Sequence, residues 1–208
     1  MSENTAKKES GQSRPFTDNE FANRLNRVRA AMSEKEVDAA LVFSPENIYY
    51  LTGLDHQGFF SPHILIVPQK GDMQLILRAM EEATCRAQVD NACVHGHSDA
   101  EAPAEKAVQI IKKLGWAGKR LGVEKHTLFS PIGLWETLIE GLAEAAWKDF
   151  SNTIDRLRMV KSAAELGYIR EASRISAAMM QAACDAAAVG VSETEIASEV
   201  LRAMALAE

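Results

Sequence analysis

Cysteine is scarce in this 208-residue chain. The three residues, Cys85, Cys93 and Cys184, are odd in number and share no CxxC spacing. That rules out a disulfide framework and a cysteine-held zinc. A Cys85–Cys93 bridge stays open, but the expectation is three reduced thiols in a cytoplasmic protein. Long hydrophobic runs are missing too: the alanine-rich stretch 177–191 is broken by Gln181 and Asp185, so no membrane span is expected. The first ten residues hold no apolar segment, and no signal peptide is read. Positive charge is in deficit, with 23 Lys and Arg against 29 Asp and Glu. The one basic cluster (Arg156, Arg158, Lys161) is short and interrupted, which argues against nucleic acid as a partner. Gly115 to Gly118 is a helix-to-strand loop without the GxGxxG or GKT pattern of a phosphate cradle.

What is present is the composition of an ordinary globular protein, 47% hydrophobic and 25% charged. Residues 1–16 are polar and aperiodic and are expected to form a disordered tail. Thr17-Asp-Asn-Glu20 is a capping box, and Phe21, Leu25, Val28 and Met32 then recur on one helical face. Strands are read at 39–43, 63–67, 73–77, 92–95, 120–123 and 147–150, the second and third joined as a hairpin through Gln69 to Asp72. Helices are read after Ser44-Pro45, from Arg78 to Gln88, from the capping box Ser98-Asp-Ala-Glu101 to Gly115, and from Ser130-Pro131 to Ala145. Strands alternating with helices predict an α/β domain over 17–150, a mixed sheet flanked by helices. Its core is expected to use Leu41, Val42, Ile64, Ile66, Leu75, Leu77, Val94, Leu121 and Val123. Cys85 and Cys93 read as small buried hydrophobes, and Met159, Met179, Met180 and Met204 as core filler in helices.

After Phe150 the strand signal stops. Three helical stretches follow, near 153–160, 163–189 and 193–207, with capping boxes at Ser162–Glu165 and Ser192–Glu195 and Gly190 placed as a C-cap. Residues 151–161 read as a linker and 162–208 as a second, incomplete unit, since two helices cannot bury both their apolar faces alone.

Several segments together resemble the creatinase–prolidase family of pita-bread metallohydrolases. They are Ser44-Pro-Glu-Asn-Ile-Tyr-Tyr-Leu-Thr-Gly53, the loop to Ile66-Val-Pro68, Arg78-Ala-Met-Glu81, Leu121-Gly-Val-Glu124, the stretch Arg156 to Arg170, and Gly190-Val-Ser-Glu-Thr-Glu-Ile196. They occur in the family's order and cover nearly everything after residue 17. The resemblance implies an N-terminal domain related in shape to ribonuclease-H-like folds, followed by the truncated start of a catalytic domain. In the family that second domain holds two divalent metals through two Asp, one His and two Glu, and the metals activate a bridging water. Those ligands lie downstream of the 190–196 helix. No catalytic residue and no metal or other cofactor is therefore expected on this chain, which is expected to be inactive alone.

The resemblance also implies a homodimer in which the loop Gly53 to His63 leans over the neighbouring subunit's substrate, so His56, Phe59, Phe60 and His63 are candidate substrate or partner contacts. The alternative for His56 is a plain surface-loop histidine, and for His63 a strand-start histidine. Creatinases resemble one another in offering an arginine from this loop. Ser61 stands at that place here, which counts against creatine. The implied parent hydrolyses Xaa-Pro dipeptides or a similar small C–N substrate. A creatinase- or ectoine-hydrolase-like enzyme and a stand-alone binding or assembly module are the alternatives. His95-Gly-His97 has metal-like proximity but lacks further ligands, and Glu46 is explained by its first helical turn.

Overall fold

The computed structural model describes residues 14–58 and 61–207. The chain divides at Met159/Val160 into two compact units.

The first unit is built on six strands, β1 (Ala39–Val42), β2 (Ile64–Pro68), β3 (Met73–Arg78), β4 (Ala92–His97), β5 (Arg120–Val123) and β6 (Ala146–Asp149), in the order β4-β3-β2-β1-β5-β6. The central three, β1 to β3, pair antiparallel, and the outer pairings β3–β4, β1–β5 and β5–β6 are parallel. This is the mixed sheet expected. The apolar runs of β1 and β2 are continuous because both faces of those strands are covered. Ala40, Val42, Leu65, Val67, Leu75 and Leu77 point to one side. Their neighbours Ala39, Leu41, Ile64, Ile66, Ile76, Leu121 and Val123 point to the other, as a period of two requires.

On the first side lie α1 (Asp18–Glu34), α2 (Pro45–Thr52), α3 (Glu82–Gln88) and α6 (Thr153–Met159). On the second lie α4 (Pro103–Lys113) and α5 (Ile132–Gly141). The helix α1 starts as its capping box predicts, with the Thr17 side chain accepting from the Glu20 amide. It buries Phe21, Val28 and Met32, and also Arg24, whose guanidinium donates to Glu20 Oε1 at 3.0 Å and to the Tyr50 carbonyl at 3.0 Å. Arg14 and Phe16, within the stretch expected to be a tail, contact Asp90 and Phe21, while residues 1–13 lie outside the described residues.

Four local expectations are corrected. Ser98 to Glu101 forms a turn and opens no helix. The helix α4 begins at Pro103, whose fixed φ suits a first helical position, and the Glu105 carboxylate accepts from the Ala102 amide. Gly190 does not cap a helix: α7 (Ala163–Ala186) ends earlier, and Gly190 takes φ +88° in the turn leading to α8 (Glu193–Ala205). Cys93 is exposed on the edge strand β4, whereas Cys85 is buried. Met159, Met180 and Met204 are exposed.

The second unit consists of α7 and α8, each opened by a complete capping box, Ser162 with Glu165 and Ser192 with Glu195. Neither helix buries a residue, and Leu166, Ile169, Met180, Leu201 and Met204 are exposed. Among the described residues no helix is long and apolar enough to cross a membrane.

Candidate functional site

The loop from Gly53 to His63 leaves α2 through Gly53, which adopts φ +79° and donates its amide to the Tyr49 carbonyl at 2.8 Å. Only a residue without Cβ takes that left-handed conformation cheaply. The loop runs to the head of β2, where His63 is buried. Phe59 and Phe60, two of the four candidate contacts, lie outside the described residues.

The other two candidates are brought together. The His56 and His63 rings are stacked, with centroids 5.1 Å apart. Beside them stands Glu81, in the 3-10 turn Ala79–Glu81 that follows β3. One Glu81 oxygen lies 2.8 Å from His63 Nε2 and the other 4.0 Å from His56 Nε2. His56 Nδ1 accepts from the Gly58 amide at 3.1 Å, and Gly58 takes φ +60°. A Cβ on Gly58 would stand 2.9 Å from the His63 ring, so glycine is also needed there for space. The buried Nδ1 of His63 has no hydrogen-bond partner among the described residues. Burial holds the His63 imidazole below its ordinary pKa, and the Glu81 carboxylate opposes that shift.

Residue types alone left Glu81 unassigned, although it sits in the Arg78-Ala-Met-Glu81 landmark. The structure supplies the reason for it. The 3-10 turn carries Glu81 to the mouth of the loop, while Arg78, three residues before, pairs with Asp99. The second histidine pair, His95 and His97, does not join the group. Gln74 Oε1 lies 2.8 Å from His95 Nε2. His97 has Ser61 Oγ at 3.2 Å and the Ser98 carbonyl at 2.9 Å, so both its nitrogens are engaged. Among the described residues, His56, His63 and Glu81 are the one grouping whose ligand atoms fall close enough to share a cation, all within 4.8 Å.

A second polar centre lies at the opposite side of α2. Glu124, at the end of β5, is buried. Its carboxylate accepts from the Phe43 and Ser44 amides at 2.8 and 2.9 Å and from Asn47 Nδ2 at 2.6 Å. Asn47 Oδ1 in turn accepts from Arg158 of α6 at 2.9 Å. Ser44 occupies the N-cap position but makes no capping bond with its own side chain; Glu124 serves the amides before the helix instead. Burial raises the Glu124 carboxyl above its ordinary pKa against these three donors. The arrangement ties the β1–α2 corner to α6 and fixes the direction in which α2 delivers the loop.

Beside the loop's first residues opens a cavity of about 180 Å³ lined by Arg14, Pro15, Tyr49, Gly53, Asp55, Ala87 and Gln88. That is small against the roughly 300–1,000 Å³ of typical ligand pockets.

A family model described as the creatinase/prolidase N-terminal domain matches residues 24–160. The chain belongs to the creatinase/prolidase family. An uncharacterized hydrolase/peptidase of Sinorhizobium fredii is 28% identical over 197 residues, which are 90% of this chain and 50% of that protein. An ectoine hydrolase of Halomonas elongata is 26% identical, over 90% of this chain and 49% of its own. A solved Xaa-Pro dipeptidase from Bacillus anthracis superposes with a TM-score of 0.73 across 89% of this chain and 49% of that one, at 21% identity, a likeness of fold. This creatinase/prolidase-family chain thus spans about half the length of the relatives it matches, and the part matched is the N-terminal portion of prolidase-like peptidases.

Proposed function

We propose that this chain is the N-terminal half of a cytoplasmic, dinuclear metal-dependent hydrolase acting on Xaa-Pro dipeptides or N-terminal Xaa-Pro bonds. Residues 17–150 would be its non-catalytic domain, 151–161 its linker and 162–208 the opening of its catalytic domain. In the working homodimer the loop 53–63 leans over the substrate held by the neighbouring subunit, with His56, Phe59 and Phe60 as its contacts and the buried His63 positioning His56 from within. One observation carries the reading of the loop: Glu81 and the paired imidazoles fix its two ends at defined geometry, as a pocket-shaping segment requires.

The metal ligands the family implies do not fit this chain. All five histidines lie in the first unit, and the described residues of α7 and α8 bring no His, Asp and Glu together. No catalytic step is therefore assigned to its residues; their part is to bind and orient. The ectoine-hydrolase relative matches at nearly the same identity as the peptidase-like one, which supports ectoine as the second candidate substrate.

The test uses a polypeptide carrying this chain with a complete catalytic half. H56A and F59A should raise KM or lower turnover for Xaa-Pro dipeptides while the two metals of the catalytic half stay bound. Unaltered kinetics in both variants refute the role of the loop. Turnover of ectoine without turnover of Xaa-Pro dipeptides selects the second reading.

A further inference from the structure

We propose that His56, His63 and Glu81 form a site for one transition-metal cation of the zinc class, which staples the loop 53–63 to the end of the sheet. The site needs only the first unit and stands independently of the reading of this chain as half of a hydrolase.

The three ligands come from separate places: the loop, the head of β2 and the 3-10 turn after β3. Two ligand atoms about 2.1 Å from a tetrahedral ion lie about 3.4 Å apart. Here the Glu81 oxygens stand 2.8 Å from His63 Nε2 and 4.0 Å from His56 Nε2. Each distance differs from the tetrahedral spacing by about 0.6 Å, and all the ligand atoms lie within 4.8 Å of one another, so binding draws the three side chains together. Two imidazoles with one carboxylate are borderline donors suited to zinc, cobalt or nickel. Calcium and magnesium demand more oxygen ligands than the site has. A His2Glu set also leaves a fourth position for water, and His56, 36% exposed, lies where solvent reaches it.

The surrounding groups set the strength of the site. Coordination through Nε2 moves each ring proton to Nδ1, with no net proton released. His56 Nδ1 then faces the Gly58 amide, itself a donor, and His63 Nδ1 has no acceptor among the described residues. A ligating histidine that lacks its outer hydrogen bond loses roughly 10–100-fold in affinity. The affinity is accordingly expected to fall well short of a structural zinc finger's. Occupancy couples available cation to the order of the loop, because His56 has no other tie to the sheet than its contacts with His63 and Glu81 among the described residues.

The experiment takes the 208-residue chain, stripped with a chelator, and titrates Co²⁺ by visible absorption and Zn²⁺ by calorimetry. The expected result is one cation per chain, with the intense visible bands of four-coordinate cobalt that zinc displaces. H56A and E81Q alter half-buried side chains and leave the core intact. Each should weaken binding by at least about tenfold. The exposed-site control H126A should not. No binding overturns the proposal. So does an affinity unchanged in either H56A or E81Q, which would place the cation on other groups such as the exposed Cys93 or Cys184. Because the chain alone is measured, the result is separate from the kinetics that test the proposed function.

Discussion

Replacing Glu124 by glutamine is the most informative perturbation of the frame that carries the loop. The Glu124 carboxylate receives three donors and offers none: the Phe43 and Ser44 amides on one oxygen, and Asn47 Nδ2 on the other. In E124Q the amide oxygen can keep the two backbone donors, but the new NH2 then meets the Asn47 NH2. Flipping Asn47 gives no escape, because its Oδ1 already accepts from Arg158. One buried donor is left without an acceptor, at about 1–3 kcal/mol, and the two amide bonds weaken as their acceptor loses its charge. Relief of a buried charge offsets part of this, since burial opposes ionisation of Glu124. The net expectation is a loss of about 1–3 kcal/mol. Adding N47D to E124Q should restore the pattern, one carboxylate oxygen accepting from the introduced NH2 and the other from Arg158. Rescue will be partial, because Asp155 Oδ2 lies 3.4 Å from the Asn47 side chain and repels a second carboxylate. All three tryptophans lie in the first unit, so urea unfolding followed by tryptophan fluorescence reads the relevant unit and not the helix pair. A double-mutant cycle then gives the coupling. If E124Q matches the parent, or if E124Q and N47D destabilise additively, the account of this network is wrong.

Two further outcomes are expected. Asp38 sits at the β1–β5 boundary, where its carboxylate accepts from the backbone and guanidinium of Arg120, and those bonds lower its pKa to about 2. The folded value lies below the ordinary one of about 3.9, so its contribution is complete above that pH and disappears as pH falls through about 2. The pair is partly exposed, so D38N should cost less than about 1 kcal/mol at neutral pH. Acid titrations of the urea midpoint should show the difference between parent and variant closing over that window. At Gly58, alanine would hold an unfavourable left-handed backbone, at about 1–2 kcal/mol, and press a methyl group on the His63 ring. G58A should therefore lower Tm and change the imidazole NMR signals of His56 and His63. Unchanged signals would contradict the packing described for the loop.

The fold was legible in the chain because its signals are local and redundant. Every strand expected from an apolar run is present, with ends moved by one or two residues, and the capping boxes at Thr17, Ser162 and Ser192 open helices where they stand. Two departures share one cause. The Ser98–Glu101 pattern satisfies the capping spacing, yet Pro103 fixes the true start, and the Glu101 side chain turns to Gln109 and Lys106 instead. Ser44 has the cap residue type, yet its hydroxyl turns to Thr127 Oγ1, eighty-three positions away. Spacing shows which bond a side chain is able to make but not which competitor reaches the donor first. The candidate site follows the same rule. His56 and His63 are legible as candidates because they lie in the loop that the family resemblance points to, whereas Glu81 reaches them only through the hairpin that folds β3 back beside β2. Antiparallel registry, Ile64 opposite Ile76, is what converts a separation of eighteen residues into a contact of 2.8 Å. Once that pairing is known, an acidic residue just past the end of the second hairpin strand is the natural partner for a histidine at the start of the first.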